Sequence, residues 1–187
     1  MKATPLLTGW TCRHLGDTAP GRPVTLPHDA MLAEPRTALS AGGVNTGWYE
    51  GYDYEYQRTL TVPENELSDT HILEFEGVYH NAEVWLNGQK AAFRPYGYTN
   101  FYVDCAPFLH AGGNELRVIA RNADQPNSRW YSGAGIYRPV QLWTARGAHI
   151  ALNGVKIRTL SLDPAVVEVR VKTTAPGTVR MMMDDLP

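Results

Sequence analysis

Residues 82–92 read Ala-Glu-Val-Trp-Leu-Asn-Gly-Gln-Lys-Ala-Ala. The Asn87-Gly88 step stands between an alternating run and a second short run. Both turn residues tolerate positive φ, which a two-residue hairpin loop requires. The stretch therefore predicts two antiparallel strands, and it sets the class of the surrounding domain as β.

Working upstream, His71 to Glu76 sets Ile72, Glu74 and Glu76 against Leu73 and Phe75. Before it, Tyr54, Tyr56, Arg58, Leu60 and Val62 form one register of a strand that Pro63 ends. Downstream, residues 98–104 make a strand and Gly112-Gly113-Asn114 a turn. Glu115 to Arg121 then alternates with Leu116, Val118 and Ala120 on one side, and Ile136, Val140 and Leu142 belong to a last strand. Short alternating strands between turns predict a β-sandwich, with a strand order that the pattern does not contain. Residues 1–25 are expected to be a lead-in with one short strand around Trp10. Residues 26–51, rich in Gly and Pro, read as a long irregular surface loop, a class of loop that is often functional.

Composition agrees with an all-β domain. The chain has 187 residues with 10 Tyr, 5 Trp and 4 Phe for packing, and 17 Gly and 13 Pro for turns. A net charge of −2 with no basic run excludes a nucleic-acid footprint. No apolar run approaches the ~20 residues of a membrane helix. The first ten residues are too polar for a signal peptide, so a cytoplasmic location is expected. Cys12 and Cys105 are the only cysteines. They are expected as free thiols, while a disulfide between them depends on geometry that sequence does not give.

After Gly147 the texture changes. Residues 148–187 offer Val155/Ile157, the run Val166 to Lys172, and Val179 to Met183. Two or three strands cannot close a sandwich alone, so this segment is expected to be the opening of a second β domain. The run Met181-Met182-Met183 is expected to be a buried strand rather than a Cu(I) site, because adjacent strand residues point to opposite faces.

The stretch richest in chemistry is 127–143, Asn-Ser-Arg-Trp-Tyr-Ser-Gly-Ala-Gly-Ile-Tyr-Arg-Pro-Val-Gln-Leu-Trp. Its first half reads as an exposed loop carrying rings and guanidinium groups, and its second half, from Ile136, as the strand that anchors it. Rings and planar hydrogen-bonding groups on a stiff β scaffold suit sugar recognition, with Trp130 and Tyr131 as one stacking platform. Gly133 and Gly135 allow a tight backbone path. Arg138 is expected as a structural ion-pair or hydrogen-bond partner inside the strand.

The order of these segments resembles the N-terminal portion of family-2 glycoside hydrolases, the β-galactosidase and β-glucuronidase group. The pieces are Leu26-Pro27-His28-Asp29-Ala30, Gly47-Trp48-Tyr49-Glu50-Gly51, Phe75-Glu76-Gly77-Val78, Ala82 to Gly88, Tyr96-Gly97-Tyr98-Thr99, Gly113-Asn114-Glu115-Leu116 and Arg129 to Arg138. The resemblance implies a jelly-roll, galactose-binding-like sandwich over 1–147, and the incomplete start of an immunoglobulin-like β-sandwich over 148–187. It implies a TIM barrel that carries both catalytic glutamates in the parent enzyme. Such a barrel takes ~250 residues and does not fit in this chain. Through the resemblance, Asn127, Ser128, Arg129, Trp130 and Tyr131, with His28 and Asp29, are candidates to face the substrate pocket. Some β-galactosidases carry an aspartate where Ser128 stands, a departure that leaves that contact open.

The carboxylates of this chain supply no committed catalytic pair. Glu74 and Glu76 share a strand face, but a solvated face accounts for them, and Glu83 and Glu115 near turns read the same way. Asp184 and Asp185 lie at the chain end. His28-Asp29 lacks a nucleophile and reads as loop structure, with Asp29 accepting backbone N–H bonds and His28 packed beneath. No spacing resembles a zinc or calcium site, and neither metal nor cofactor is expected. The expectation is a non-catalytic segment of a retaining β-glycosidase, inactive alone, whose partners are the barrel and a β-galactoside. Three alternatives stay open: a free-standing carbohydrate-binding module, a β-glucuronidase-type parent, and a structural domain in a homo-oligomer.

Overall fold

The computed structural model describes residues 1–182. Twelve strands form in chain order: β1 (Lys2–Pro5), β2 (Trp10–His14), β3 (Arg22–Val24), β4 (Asp53–Val62), β5 (Thr70–Phe75), β6 (Ala82–Leu86), β7 (Gln89–Arg94), β8 (Phe101–Asp104), β9 (Gly112–Arg121), β10 (Val140–Ala145), β11 (Ile150–Leu162) and β12 (Ala165–Thr173). The chain divides into two compact units. One is Lys2–Thr144; the other is Ala145–Pro187 together with Met1.

In the first unit β1–β10 build two antiparallel sheets. Six strands run in the order β3-β2-β4-β9-β6-β7 and four in the order β1-β10-β5-β8. The alternating residues fill the space between them. Trp10, Tyr54, Tyr56, Val84, Leu86, Leu116 and Val118 come from the larger sheet, and Leu73, Phe75, Val103 and Val140 from the smaller. Phe75 and Phe101 stack at 5.0 Å between centroids. Each large apolar side chain buried this way contributes about 1.5–3 kcal/mol. The unit is the galactose-binding-like β-sandwich that the strand pattern predicted.

The hairpin is where it was expected. Asn87 and Gly88 take φ of 49° and 77° between β6 and β7, and one extra residue bulges the ladder between Val84 and Trp85. Both cysteines are free and buried. Burial pushes the Cys12 thiol up to about 11 and the Cys105 thiol up to about 12.

Several expectations are corrected. The lead-in holds three strands, not one, because β1 pairs with β10 and β2 is seated between β3 and β4. Ile136 is buried but precedes the strand, which starts at Val140 after Pro139. Arg138 is likewise outside it, exposed, with its guanidinium 5.4 Å from the Tyr137 ring centroid. Glu74 and Glu83 are buried rather than solvated, whereas Glu115 is exposed as expected.

In the second unit β11 and β12 pair as one long antiparallel hairpin. Val155, Ile157, Leu160, Leu162, Val166 and Val167 are all exposed on it. Met181 and Met182 are exposed and lie outside any strand, against the expected buried strand. Met183, Asp184 and Asp185 lie outside the described residues.

Candidate functional site

The loop at 127–135 is anchored at both ends before it presents anything. At its entry the Tyr79 hydroxyl donates to Asn127 Oδ1 at 3.1 Å. Asn127 Nδ2 donates to Asn122 Oδ1 and to the Asp124 carbonyl, each at 2.9 Å, and Asn122 is fully buried. At its exit Gly135 and Tyr79 exchange two backbone bonds of 2.9 Å. Gly135 has φ of 93°, and a Cβ there would stand 2.0 Å from the Tyr56 hydroxyl. Only a residue without a side chain can pass this point.

Asp29 ties the loop to the 26–51 segment. Its Oδ1 accepts from the Met31 N–H at 3.1 Å and the Ala134 N–H at 3.0 Å. Its Oδ2 accepts from the Tyr131 hydroxyl at 2.6 Å. Burial, and then the bond to Asp29, push the Tyr131 hydroxyl well above its ordinary pKa, so it remains a donor. The Tyr131 ring lies 6.1 Å from that of Tyr49, and the Arg36 guanidinium sits 5.4 Å from the Tyr49 ring centroid. His28 Nδ1 is 2.8 Å from the Tyr56 hydroxyl. Burial first, then the Arg22 charge, hold its pKa below the usual histidine value, so the ring is neutral at neutral pH.

Trp130 belongs to a different neighbourhood. Its indole Nε1 donates to the Tyr98 hydroxyl at 2.9 Å, and its carbonyl accepts from Ser128 Oγ. Arg129 is exposed and has no recorded partner among the described residues. The single Trp130–Tyr131 platform is therefore corrected. Tyr131 is held by Asp29 and Trp130 by the connection after β7, so the polar ends of the two rings are claimed by different elements. Both rings remain accessible, Trp130 at 59 % and Tyr131 at 41 %.

The structure thus joins His28, Asp29 and Tyr131 on one side, with Asn127 a buttress at the loop base. Tyr49, Tyr96, Tyr98 and Tyr137 were missed as site residues. The spacing Tyr96-Gly97-Tyr98 in a connection between strands was the available signal.

None of the tempting carboxylates is arranged as a reacting pair. Glu74 accepts from Asn100 Nδ2 at 2.9 Å and from the Trp143 indole at 2.7 Å. Burial raises its pKa, but these bonds and one from Tyr102 outweigh burial and leave the carboxyl below its ordinary range. Glu83 is treated the same way by burial, Lys90 and Arg121, with Arg121 Nε at 2.7 Å and Lys90 Nζ at 2.8 Å. Glu55 is shared by Arg13 and Arg117. Among the described residues no group of three or more His, Cys, Asp or Glu is placed to hold a metal ion.

A family profile matches residues 25–149, and its description is glycosyl hydrolase 2 galactose-binding domain-like. The chain belongs to this family. Among its relatives, the β-galactosidase BoGH2A of Bacteroides ovatus is 37 % identical over 172 residues, which cover 86 % of this chain and 20 % of that protein. The chain thus spans a fifth of the length of that relative. A β-glycosidase from Bacteroides vulgatus superposes with a TM-score of 0.84 at 28 % identity, over 95 % of this chain and 25 % of the other. An FMN-binding β-glucuronidase from Facaelibacterium prausnitzii L2-6 superposes with a TM-score of 0.74 at 26 % identity, over 94 % and 28 %. The glycosyl hydrolase 2 match includes Asp29, the whole 127–135 loop and the Tyr96–Tyr98 connection, so the residues described above all fall inside the family segment.

Proposed function

We propose that this chain is the non-catalytic, pocket-shaping segment of a retaining β-glycosidase, with a β-galactoside as its substrate class. One observation carries the reading: Asp29 gathers Met31, Ala134 and Tyr131, and so fixes an exposed ring at the tip of a loop that is braced at both ends. A ring held by a short charge-assisted bond presents a defined surface at little entropic cost. His28, Asn127, Ser128, Arg129 and Trp130 flank or support that surface, and the pocket it shapes is completed by the catalytic barrel of the longer enzyme.

Retaining hydrolysis needs two carboxyl groups ~5 Å apart, one a nucleophile and one an acid/base. In this chain Glu55, Glu74 and Glu83 are each taken up by cations or hydrogen-bond donors. Bond cleavage is accordingly assigned to carboxylates outside this segment. The 187-residue chain should therefore release no nitrophenol from a nitrophenyl β-galactoside. Turnover that co-purifies with the chain through successive columns would overturn the reading. The exposure of Trp130 and Tyr131 supports a second reading, a free-standing sugar-binding module. Calorimetric binding of lactose tighter than about millimolar by the chain alone would favour it.

A further inference from the structure

Around Trp130 the structure holds a second set of rings that the pocket reading does not use. Tyr96 is 58 % exposed and meets Tyr98 edge-on at 5.7 Å. Tyr98 meets the buried Tyr79 edge-on at 5.3 Å and takes the indole N–H of Trp130. The Tyr137 hydroxyl donates to the Gly97 carbonyl at 2.8 Å, and Arg138 lies over the Tyr137 ring. Gly97 is buried, and a Cβ on it would stand 2.6 Å from Tyr79 Cδ2. The missing side chain lets Tyr96 and Tyr98 straddle Tyr79. Five rings from three separate segments are thus locked together, and the outer two, Trp130 and Tyr96, are left open to solvent.

Exposed aromatic surface is costly in water, at roughly 25 cal/mol per Å², and a contiguous exposed patch rimmed by polar groups marks a contact surface. The rim here consists of phenol hydroxyls and the Arg138 guanidinium. A pyranose ring is complementary to this arrangement. It offers a flat C–H face to the rings and hydroxyls at its edge to the rim. Because the rings are fixed before the ligand arrives, little side-chain entropy is lost on binding. We propose that Trp130, Tyr96, Tyr98 and Tyr137 form a stacking site for a pyranose ring, distinct from the Asp29–Tyr131 side of the same loop. Trp130 and Tyr131 are consecutive, so a saccharide chain lying along the loop could engage both sides. The stacking site nevertheless stands on its own residues and does not depend on the pocket reading.

The test is titration of the ¹⁵N-labelled 187-residue chain with lactose, followed through the Trp130 indole N–H and the amides of residues 96–98. These resonances should move together and fit a dissociation constant in the millimolar range, up to about 50 mM sugar. Tyr96→Ala removes an exposed ring with no core role and should weaken binding about fivefold or more. Tyr98→Phe keeps the ring, and should displace the indole resonance before any sugar is added. Static resonances across the titration would overturn the proposal, as would unchanged affinity in Tyr96→Ala. Shifts confined to Tyr49, Tyr131 and the Asp29 turn would also overturn it, while leaving the pocket reading intact.

Discussion

A single carboxylate decides whether the 127–135 loop is a presented surface or a slack one. Asp29→Ala would leave the Met31 and Ala134 N–H groups and the Tyr131 hydroxyl without their acceptor. Each such loss costs about 1–3 kcal/mol where the group stays dry. We expect Asp29→Ala to lower the urea midpoint by a total of about 2 kcal/mol in stability, and Tyr131 to become mobile on the nanosecond scale by NMR relaxation. Retention of both would remove Asp29 from its central position. Glu74 and Glu83 make a different residue-scale prediction. Both carboxyls sit below their ordinary range when folded. The stability they add is therefore present above the unfolded value, ~4.3, and is lost as pH falls through their folded values. Melting temperature followed from about pH 6 downwards should fall less steeply in the Glu74→Gln/Glu83→Gln double variant than in the parent chain. Parallel curves would assign acid sensitivity to other groups. The loop's rings were legible in the sequence because Trp130 and Tyr131 carry their own signal. The burial of Glu74 was not, because the Trp143 indole that covers it lies 69 residues away on another strand.

At the scale of elements, the β6–β7 hairpin owes its position to more than its turn. Asn87 Nδ2 donates to the Phe108 carbonyl and to Asn114 Oδ1, each at 2.8 Å, and Asn87 Oδ1 accepts from the Glu115 N–H at 2.9 Å. Asn114 is fully buried. It accepts from the His110 N–H and donates to the His110 and Gly112 carbonyls. Two asparagines thus join the hairpin turn, the segment 108–112 and the start of β9. Asn114→Ala should cost about 2–4 kcal/mol, read as a lowered urea midpoint, because it strips a buried network rather than one bond. A cost under about 1 kcal/mol would mean that the network is dispensable. The turn was legible because Asn-Gly is a local signal, and β4 and β9 were legible because ten residues of alternation outlast noise. The strands β1 and β3, of four and three residues, are too short to show a period. β1 exists because β10, more than 130 positions later in the chain, offers it an edge. For the same reason the last strand begins at Val140: Pro139 supplies no N–H to a ladder, so buried Ile136 is held by loop packing instead.

Across the whole molecule, the distribution of buried apolar residues is uneven in a way that has a consequence. Every member of the hydrophobic core lies between Leu6 and Val140, with Leu142 packed against it. The hairpin β11–β12 keeps six aliphatic side chains exposed and contributes none to that core. A two-stranded ribbon is marginal by itself in water, and exposed β-branched residues on unpaired strands favour strand-to-strand association. The sandwich should therefore be indifferent to the loss of the hairpin, while the solution behaviour of the chain should depend on it. A chain ending at residue 147 is expected to unfold at the same urea midpoint as the 187-residue chain, to within about 0.5 kcal/mol in stability. Light scattering should show self-association rising with concentration for the longer chain and a monomer for the shorter. Substituting Ile157 and Val167 by lysine in the longer chain should reproduce the monomer without touching the sandwich, since both side chains are already more than half exposed. If the shorter chain melts early, the core depends on residues after 147 and the two units fold as one. If the longer chain stays monomeric at all concentrations, its exposed aliphatic face does not self-associate, and the stickiness expected of those side chains is absent.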